Sequence, residues 1–457
     1  MSGSQAVLKK SLRPVHLAAI GMGTTIGMGW VVVAGGWIND AGPGGAALAF
    51  VLGALIMGLV AQCYADLTIR LPEATNETAY VEAAFGRLYG RIIGWMVLLG
   101  FVGICCFEGL ALAWVISVLA PSLKGPTLYT VLETPITLLD ILVVAGGGAF
   151  FTFLNVIGAR ESASVQVAVT AGKIALGLVF IIIGIAGGAP ENLAPVFSPA
   201  DAPLKGMTLV LVTVPAWFCG FNALPQSLSE ARERPSAKLI ARLFASVIVL
   251  TALFYIGVIA ATAIAAPRAD LAGSELPVMT AIETVAGPWG GRIVLVTGVV
   301  ALLSAWNAAL FASSRMIYNL SASGALPSFL ARVHPKFGTP VNAVIFVGAV
   351  ALAGGMMGRA FIAPVLQLGA LGFAIGFLAT CASYLRLFGV SAPLPRVFAA
   401  GFAAISVWAV IMLSVYTMFA GKSGLPPEAA ALATWIGIGW VLLAAARRGG
   451  TAGVRAE

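Results

Sequence analysis

Two charged residues stand deep inside apolar runs: Lys173 in VAVTAGKIALGLVFIIIG and Glu108 in ICCFEGLALAW. Charge in such surroundings is expensive, and is kept for a function or tied to a partner. Lys173 has two readings. Its stem can run along apolar surface so that the ammonium reaches water, or it can be held inside and cycle between ammonium and amine. Glu108 either faces a cavity, where it would pair with a cationic substrate, or ties its helix to a neighbouring backbone. A third chemistry lies in GMGTTIGMGW (21–30), rich in glycine although apolar on both sides. Glycine costs a helix interior about 1 kcal/mol relative to alanine, so Gly21, Gly23, Gly27 and Gly29 need a reason. One is close approach of neighbouring helices. The other is a broken helix, whose unpaired N–H and C=O groups must face protein or a wet cavity. Freed amides at the start of the following half-helix favour an anion; freed carbonyls favour a cation. VPAWFCGFNALPQSLSE (214–230) shares the oddity, with Pro215, Gly220 and Pro225 interrupting it and Asn222 beside the central glycine.

The elements that position these groups follow from composition. Of 457 residues, 60% are hydrophobic and 10% charged, against roughly 25% charged in a soluble protein; the mean hydropathy is +0.99. So much apolar side chain needs lipid as its solvent. About twelve segments are long enough to cross a hydrocarbon core of roughly 30 Å. They lie near 15–38, 44–70, 90–120, 136–156, 165–189, 206–229, 240–265, 288–319, 340–357, 362–387, 398–420 and 428–446. The two interrupted segments are then the first and the sixth. That placement points to a transporter built from inverted repeats, with its site at the interruptions.

With both termini cytoplasmic, inward loops and tails hold most of the 26 Lys and Arg. They include Lys9, Lys10, Arg13, Arg70, Arg87, Arg91, Arg160, Arg232, Arg234, Lys238 and Arg242. Outward positions hold only Lys124, Lys205, Arg268, Arg292, Arg359 and Lys422. This bias sets the orientation and accounts for the net charge of +8 without a nucleic-acid partner. The start, MSGSQAVLKKSLRP, lacks the pattern of a signal peptide. The five cysteines all fall in apolar runs with no metal or disulfide spacing. His16 and His334 fall near segment ends, where a structural or surface role suits them. With no P-loop, nucleophile elbow or HExxH motif, neither an enzyme nor a cofactor or metal site is expected. Asp66, Glu82, Glu161 and Glu230 fall near cytoplasmic ends, where loop or gate contacts suit them.

The chain resembles the amino acid–polyamine–organocation (APC) superfamily of transporters over essentially its whole length. IGMG (26–29) is similar to the family's I-G-S-G element, with Met28 in place of serine. CGFNALPQSLSE (219–230) is similar to its G-F-[DE] element with an acidic end. SSRMIYNLSASGALPSFLARVHPKFGTPVNAV (313–344) carries the S-R, G-x-L-P and G-T-P elements of the eighth helix and its exit. The resemblance implies an all-α membrane protein with about twelve transmembrane helices and a five-plus-five inverted-repeat (LeuT-like) core. The repeats would be 15–189 and 206–387, with two further helices in 398–446 and cytoplasmic tails at 1–14 and 447–457. It also implies a substrate site formed by Thr25, Ile26, Gly27, Met28, Gly29, Ala216, Trp217, Phe218, Cys219, Gly220 and Asn222. The amides of Gly27, Met28 and Gly29 would take a carboxylate, and the carbonyls of Thr25, Ala216 and Cys219 an ammonium. In proton-coupled relatives a lysine matches Lys173, where its ammonium would bond the Gly23 carbonyl and the Ser304 hydroxyl.

Three departures bear on specificity. The acid after G-F is Asn222; the aromatic gate expected near 216 is alanine, followed by Trp217 and Phe218; and the paired glycines after the second helix are replaced in ATNETAY (74–80). The resulting expectation is a proton-coupled permease for a neutral amino acid in a bacterial inner membrane, working by alternating access. Transport of amines or cationic amino acids, resting on Glu108, is the alternative. A receptor that binds without moving its ligand is a distant third, since no signalling segment interrupts the apolar runs.

Overall fold

The computed structural model describes residues 13–454 apart from 28, 75, 132, 158–162, 200–201, 229–230, 232, 234 and 421–423. Met28, Glu161, Glu230 and the basic residues Lys9, Lys10, Arg160, Arg232, Arg234, Lys422 and Arg455 therefore lie outside the described residues. The helices are α1 (Pro14–Thr25), α2 (Trp30–Arg70), α3 (Glu77–Phe85), α4 (Arg87–Leu119), α5 (Leu138–Ile157), α6 (Ala163–Gly187), α7 (Pro203–Leu211) and α8 (Val214–Phe218). They continue with α9 (Leu224–Leu228), α10 (Ala237–Ala265), α11 (Arg268–Ala272), α12 (Pro277–Ala322), α13 (Val341–Gly355), α14 (Ile362–Phe388), α15 (Leu394–Phe419) and α16 (Pro427–Val454). The only strands among the described residues are β1 (Thr127–Val131) and β2 (Thr134–Thr137), an antiparallel hairpin between α4 and α5 that the sequence reading did not anticipate.

Nine helices among the described residues are long and apolar enough to cross a membrane, where the sequence suggested about twelve segments. The difference has a physical reason. The first and sixth segments are broken, and the ninth is the shorter apolar helix α13, of 15 residues. The second half of the first segment runs on into the second as α2, bent at Gly42–Pro43 rather than interrupted by a loop. A similar bend at Gly287–Pro288 joins a short run onto the eighth. Proline at these bends removes one intrahelical hydrogen bond and crowds the preceding turn.

Lipid tails are as apolar as leucine, so close packing, more than apolar burial, must hold such helices together. Small residues permit it. A Cβ on Gly53 would stand 2.3 Å from Val214 and one on Gly177 2.3 Å from Phe254, so α2 lies directly on α8 and α6 on α10. Outward faces are apolar: Phe398, Phe402, Ile405 and Tyr416 are each more than 60% exposed on α15, at helical spacing. In water such a stripe would be a liability; in lipid it is the expected surface. Trp95 is different, stacking on Trp435 with centroids 4.5 Å apart and tying α4 to α16.

Candidate functional site

Both breaks are present, and the four glycines of the opening stretch divide between the two readings. Gly21 and Gly23 are packing residues inside α1. A Cβ on Gly21 would meet Val247 at 2.9 Å, and one on Gly23 would meet the Thr170 hydroxyl at 2.2 Å. Gly27 and Gly29 lie in the gap between the end of α1 and the start of α2. Gly29 must also be small, because an added Cβ would stand 2.9 Å from the Phe107 ring and 3.1 Å from Trp217. On the far side of the cavity, α8 stops at Phe218 and the chain turns through Cys219 and Gly220. Gly220 has φ +118°, ψ −36°, a conformation that side chains resist.

Between the breaks lies a cavity of about 170 Å3 lined largely by apolar and glycine surface. Of the residues expected from sequence, Gly23, Thr25, Gly27, Gly29, Glu108, Lys173, Ala216, Trp217, Cys219, Gly220, Asn222 and Ser304 line it. Ile26 and Phe218 do not. Ile26 is buried, and Phe218 packs toward Phe50, 6.3 Å away. The aromatic beside the cavity is therefore Trp217, which meets Trp37 and Tyr255 edge-on at 5.1 and 5.8 Å. Its indole donates to the Thr213 hydroxyl at 3.1 Å, which fixes the ring. Gly100, Gly103 and Gly369 continue the lining toward Phe373.

The charged residues sit where the breaks meet. Lys173, 4% exposed, donates from Nζ to the Gly23 carbonyl at 2.8 Å. Its stem does not snorkel to the surface; it turns into the bundle beside α1. Glu108, 5% exposed, lines the same cavity and is electrostatically coupled to Lys173. Its Oε2 has no hydrogen-bond partner among the described residues. A buried oxygen without a donor costs about 1–3 kcal/mol, more when charged, so Glu108 is not a satisfied structural tie.

Two contributors, Tyr255 and Glu77, escape a reading of the sequence. Tyr255 of α10 donates its hydroxyl to the Thr25 carbonyl at 3.2 Å, so that carbonyl already has a partner. Ala216 O similarly accepts from the Cys219 thiol. The second is Glu77, at the start of α3 and 1% exposed. Its Oε1 accepts from Asn222 Nδ2 at 2.7 Å and from the Tyr64 hydroxyl at 2.8 Å. Asn222 Oδ1 meanwhile accepts from the Gly220 amide at 2.9 Å. The position where the resemblance implies an acid is thus neutral here but holds a carboxylate from another element. A polar tyrosine in an apolar run was the available signal for Tyr255. For Glu77 the signal was a carboxyl in ATNETAY close to the end of the second apolar segment.

The remaining candidates are peripheral. Asp66 accepts from Tyr384 at 3.1 Å and faces Arg396 at 3.4 Å, tying α2 to α14 and α15. His16 accepts from the Arg13 amide and His334 from the amides of Lys336 and Phe337, so each organises its own turn.

Residues 12–443 match the family described as amino acid permease. Among individual proteins, the methylthioribose transporter of Bacillus subtilis is 28% identical, over 80% of this chain and 78% of that protein. The branched-chain amino acid permease BcaP of Bacillus subtilis is 27% identical over the same shares. The L-asparagine permease 1 of Mycobacterium tuberculosis is 26% identical, over 84% of this chain and 78% of its own length. Apolar helices long enough to span a bilayer, two broken segments around a buried cavity, and a family match over nearly the whole chain agree: this integral membrane protein belongs to the amino acid permease family, which consists of transporters rather than enzymes.

Proposed function

We propose that the protein is a proton-coupled permease for a neutral amino acid in a bacterial inner membrane, with both termini cytoplasmic. The observation that carries the reading is Lys173, buried and bonded to the Gly23 carbonyl directly below the first break. A zwitterion suits the cavity. Its carboxylate would meet the Gly27 and Gly29 amides at the positive end of the 41-residue helix α2. Its ammonium would face the carbonyl side of the second break, at Cys219, with Thr25 and Ala216 less available because Tyr255 and the Cys219 thiol hold their carbonyls. Trp217, Phe107 and Ile104 supply apolar walls, and Trp217 is placed to gate in the role expected of an aromatic at 216. Residues 15–189 and 206–387 form the two inverted repeats in this reading, each opening on a broken segment. When Lys173 loses its proton its bond to Gly23 weakens, which biases the tilt of α1 and links proton occupancy to the outward- and inward-open states.

The names of the branched-chain and asparagine permeases support a neutral amino acid. The unpartnered Glu108 Oε2 favours a second reading, in which the substrate is an amine or a cationic amino acid. Uptake into liposomes under an inward proton gradient, across labelled leucine, asparagine, arginine and putrescine, separates the two. Uptake of leucine or asparagine alone supports the first, and putrescine uptake the second. Binding without uptake of any of them would contradict both.

A further inference from the structure

The mechanism above leaves the buried carboxyl of Glu77 unused. Glu77 belongs to a nine-residue helix outside the long membrane-spanning segments, yet its side chain is enclosed. It receives hydrogen bonds from Tyr64 of α2 and from Asn222 of the second break. Around it, Tyr64 and Tyr80 stand edge-on at 6.0 Å, and Tyr64 meets Phe221 at 5.1 Å and Phe377 at 6.1 Å. Phe221 stacks on Phe377 at 5.2 Å. This aromatic layer lies beside Glu77 of α3, whose partner Asn222 lines the cavity; Trp37, Trp217 and Tyr255 form a second cluster. The groups facing the carboxylate are the Tyr64 and Tyr80 hydroxyls, with Thr68 bonded to Tyr80, the Thr380 hydroxyl beside Tyr64, and the Asn222 amide. No Lys, Arg or His forms an ion pair with it among the described residues.

We propose that Glu77 is the positioning residue of the second break: its carboxylate latches residues 219–223 to α2 and α3 and keeps the cavity shut on the α3 side until the latch releases. The geometry supports a latch more than a packing contact. Both partners donate to one oxygen, whose two lone pairs accept them with or without a proton on the other oxygen; ionisation strengthens the pair, since bonds to an ionised acceptor are roughly twice as strong as neutral ones. Asn222 joins the carboxylate to the turn through its own bond to the Gly220 amide, so the pull is exerted on the backbone whose conformation shapes the cavity. Loss of the Asn222 donor frees that turn, and loss of the charge loosens it. The consequence for transport rests on the reading above, whereas the latch itself is independent of which substrate the protein carries.

Cys219 lies on the latched turn and lines the cavity, so its reaction with a charged methanethiosulfonate reports access. In that reaction the thiolate displaces sulfinate and forms a mixed disulfide. The full chain would be labelled in membrane vesicles of each sidedness and the Cys219 peptide quantified by mass spectrometry. Glu77→Ala and Asn222→Asp are expected to raise the Cys219 rate from the α3 side about tenfold, the latter by placing two carboxylates in contact. Glu77→Gln, which keeps the shape but not the charge, should raise it less. The double variant Glu77→Gln/Asn222→Asp reverses the donor and acceptor and should return the rate toward that of the parent. Cys105 and Cys381, buried elsewhere, stay slow in folded protein. Should Glu77→Ala expose them, Tyr64→Phe, which removes one arm, carries the test with a smaller expected rise. Parent-like Cys219 rates in the folded single variants, or a double variant as fast as Asn222→Asp, would overturn the latch. Because labelling needs no substrate, a protein that moves no amino acid would sink the transport reading and leave this result standing.

Discussion

At the scale of single residues, the site is built from groups whose partners are short or missing. Gly23 is small because Thr170 stands where a Cβ would go, and that closeness lets Lys173 reach the Gly23 carbonyl. Gly23→Ala should therefore push α1 from α6 and reduce initial uptake at least tenfold, while Gly23→Ala/Thr170→Ala should recover part of it. No recovery in the double variant would mean that the glycine serves something other than this approach. Glu77 gives a prediction in pH. Burial pushes its carboxyl above the ordinary 4.5, outweighing the bonds from Asn222, its own amide and Tyr64 that pull the other way. An acid raised on folding holds its proton more tightly when folded, so stability falls as pH climbs from 4.5 through the raised value. Glu77→Gln has no such term. Its melting temperature relative to the parent should rise as pH climbs above 4.5 in thermal unfolding of the detergent-solubilised protein; a constant difference would contradict the buried carboxylate. A charge kept at a cost in stability is what a functional latch requires.

At the scale of elements, the breaks were the most legible feature and the joins the least. Glycine and proline density marked 21–30 and 214–230 because both residue types are poor in helix interiors. It could not say that α2 would carry on through Gly42–Pro43, since a bend and a loop share the same composition there. Lys173 was legible as an intramembrane charge, and the resemblance to known permeases supplied its expected partner. Glu77 was not, because its partner Asn222 lies 145 positions away and only the packing of α2, α3 and the second break brings them together. Ile26 and Phe218 were included by neighbourhood in sequence, but helical and turn geometry points successive side chains in different directions. The strain at the second break is testable. With φ +118° at Gly220, Gly220→Ala forces a rarely populated conformation, at a cost of about 1–3 kcal/mol. The variant should show a lowered melting temperature and weakened substrate affinity. An unchanged melting temperature would mean that the turn relaxes freely.

At the scale of the whole molecule, the two broken segments, α6 carrying Lys173 and α4 carrying Glu108 converge on one cavity. In the proposed cycle, substrate and proton tilt the same equilibrium, by no more than their difference in affinity for its two ends. The proposed latch acts through Asn222, and Trp217 packs on Trp37; both Asn222 and Trp217 line that cavity. The most direct test of the coupling follows from this arrangement. With the amino acid that the uptake panel selects, the parent and Lys173→Ala would be compared in liposomes in two modes: exchange at equal pH, and accumulation driven by an inward proton gradient. The account predicts that the variant still exchanges but no longer accumulates, whereas the parent does both and loses accumulation when a protonophore collapses the gradient. A Lys173→Ala protein that accumulates as the parent does, or a parent that accumulates only with sodium, would contradict it.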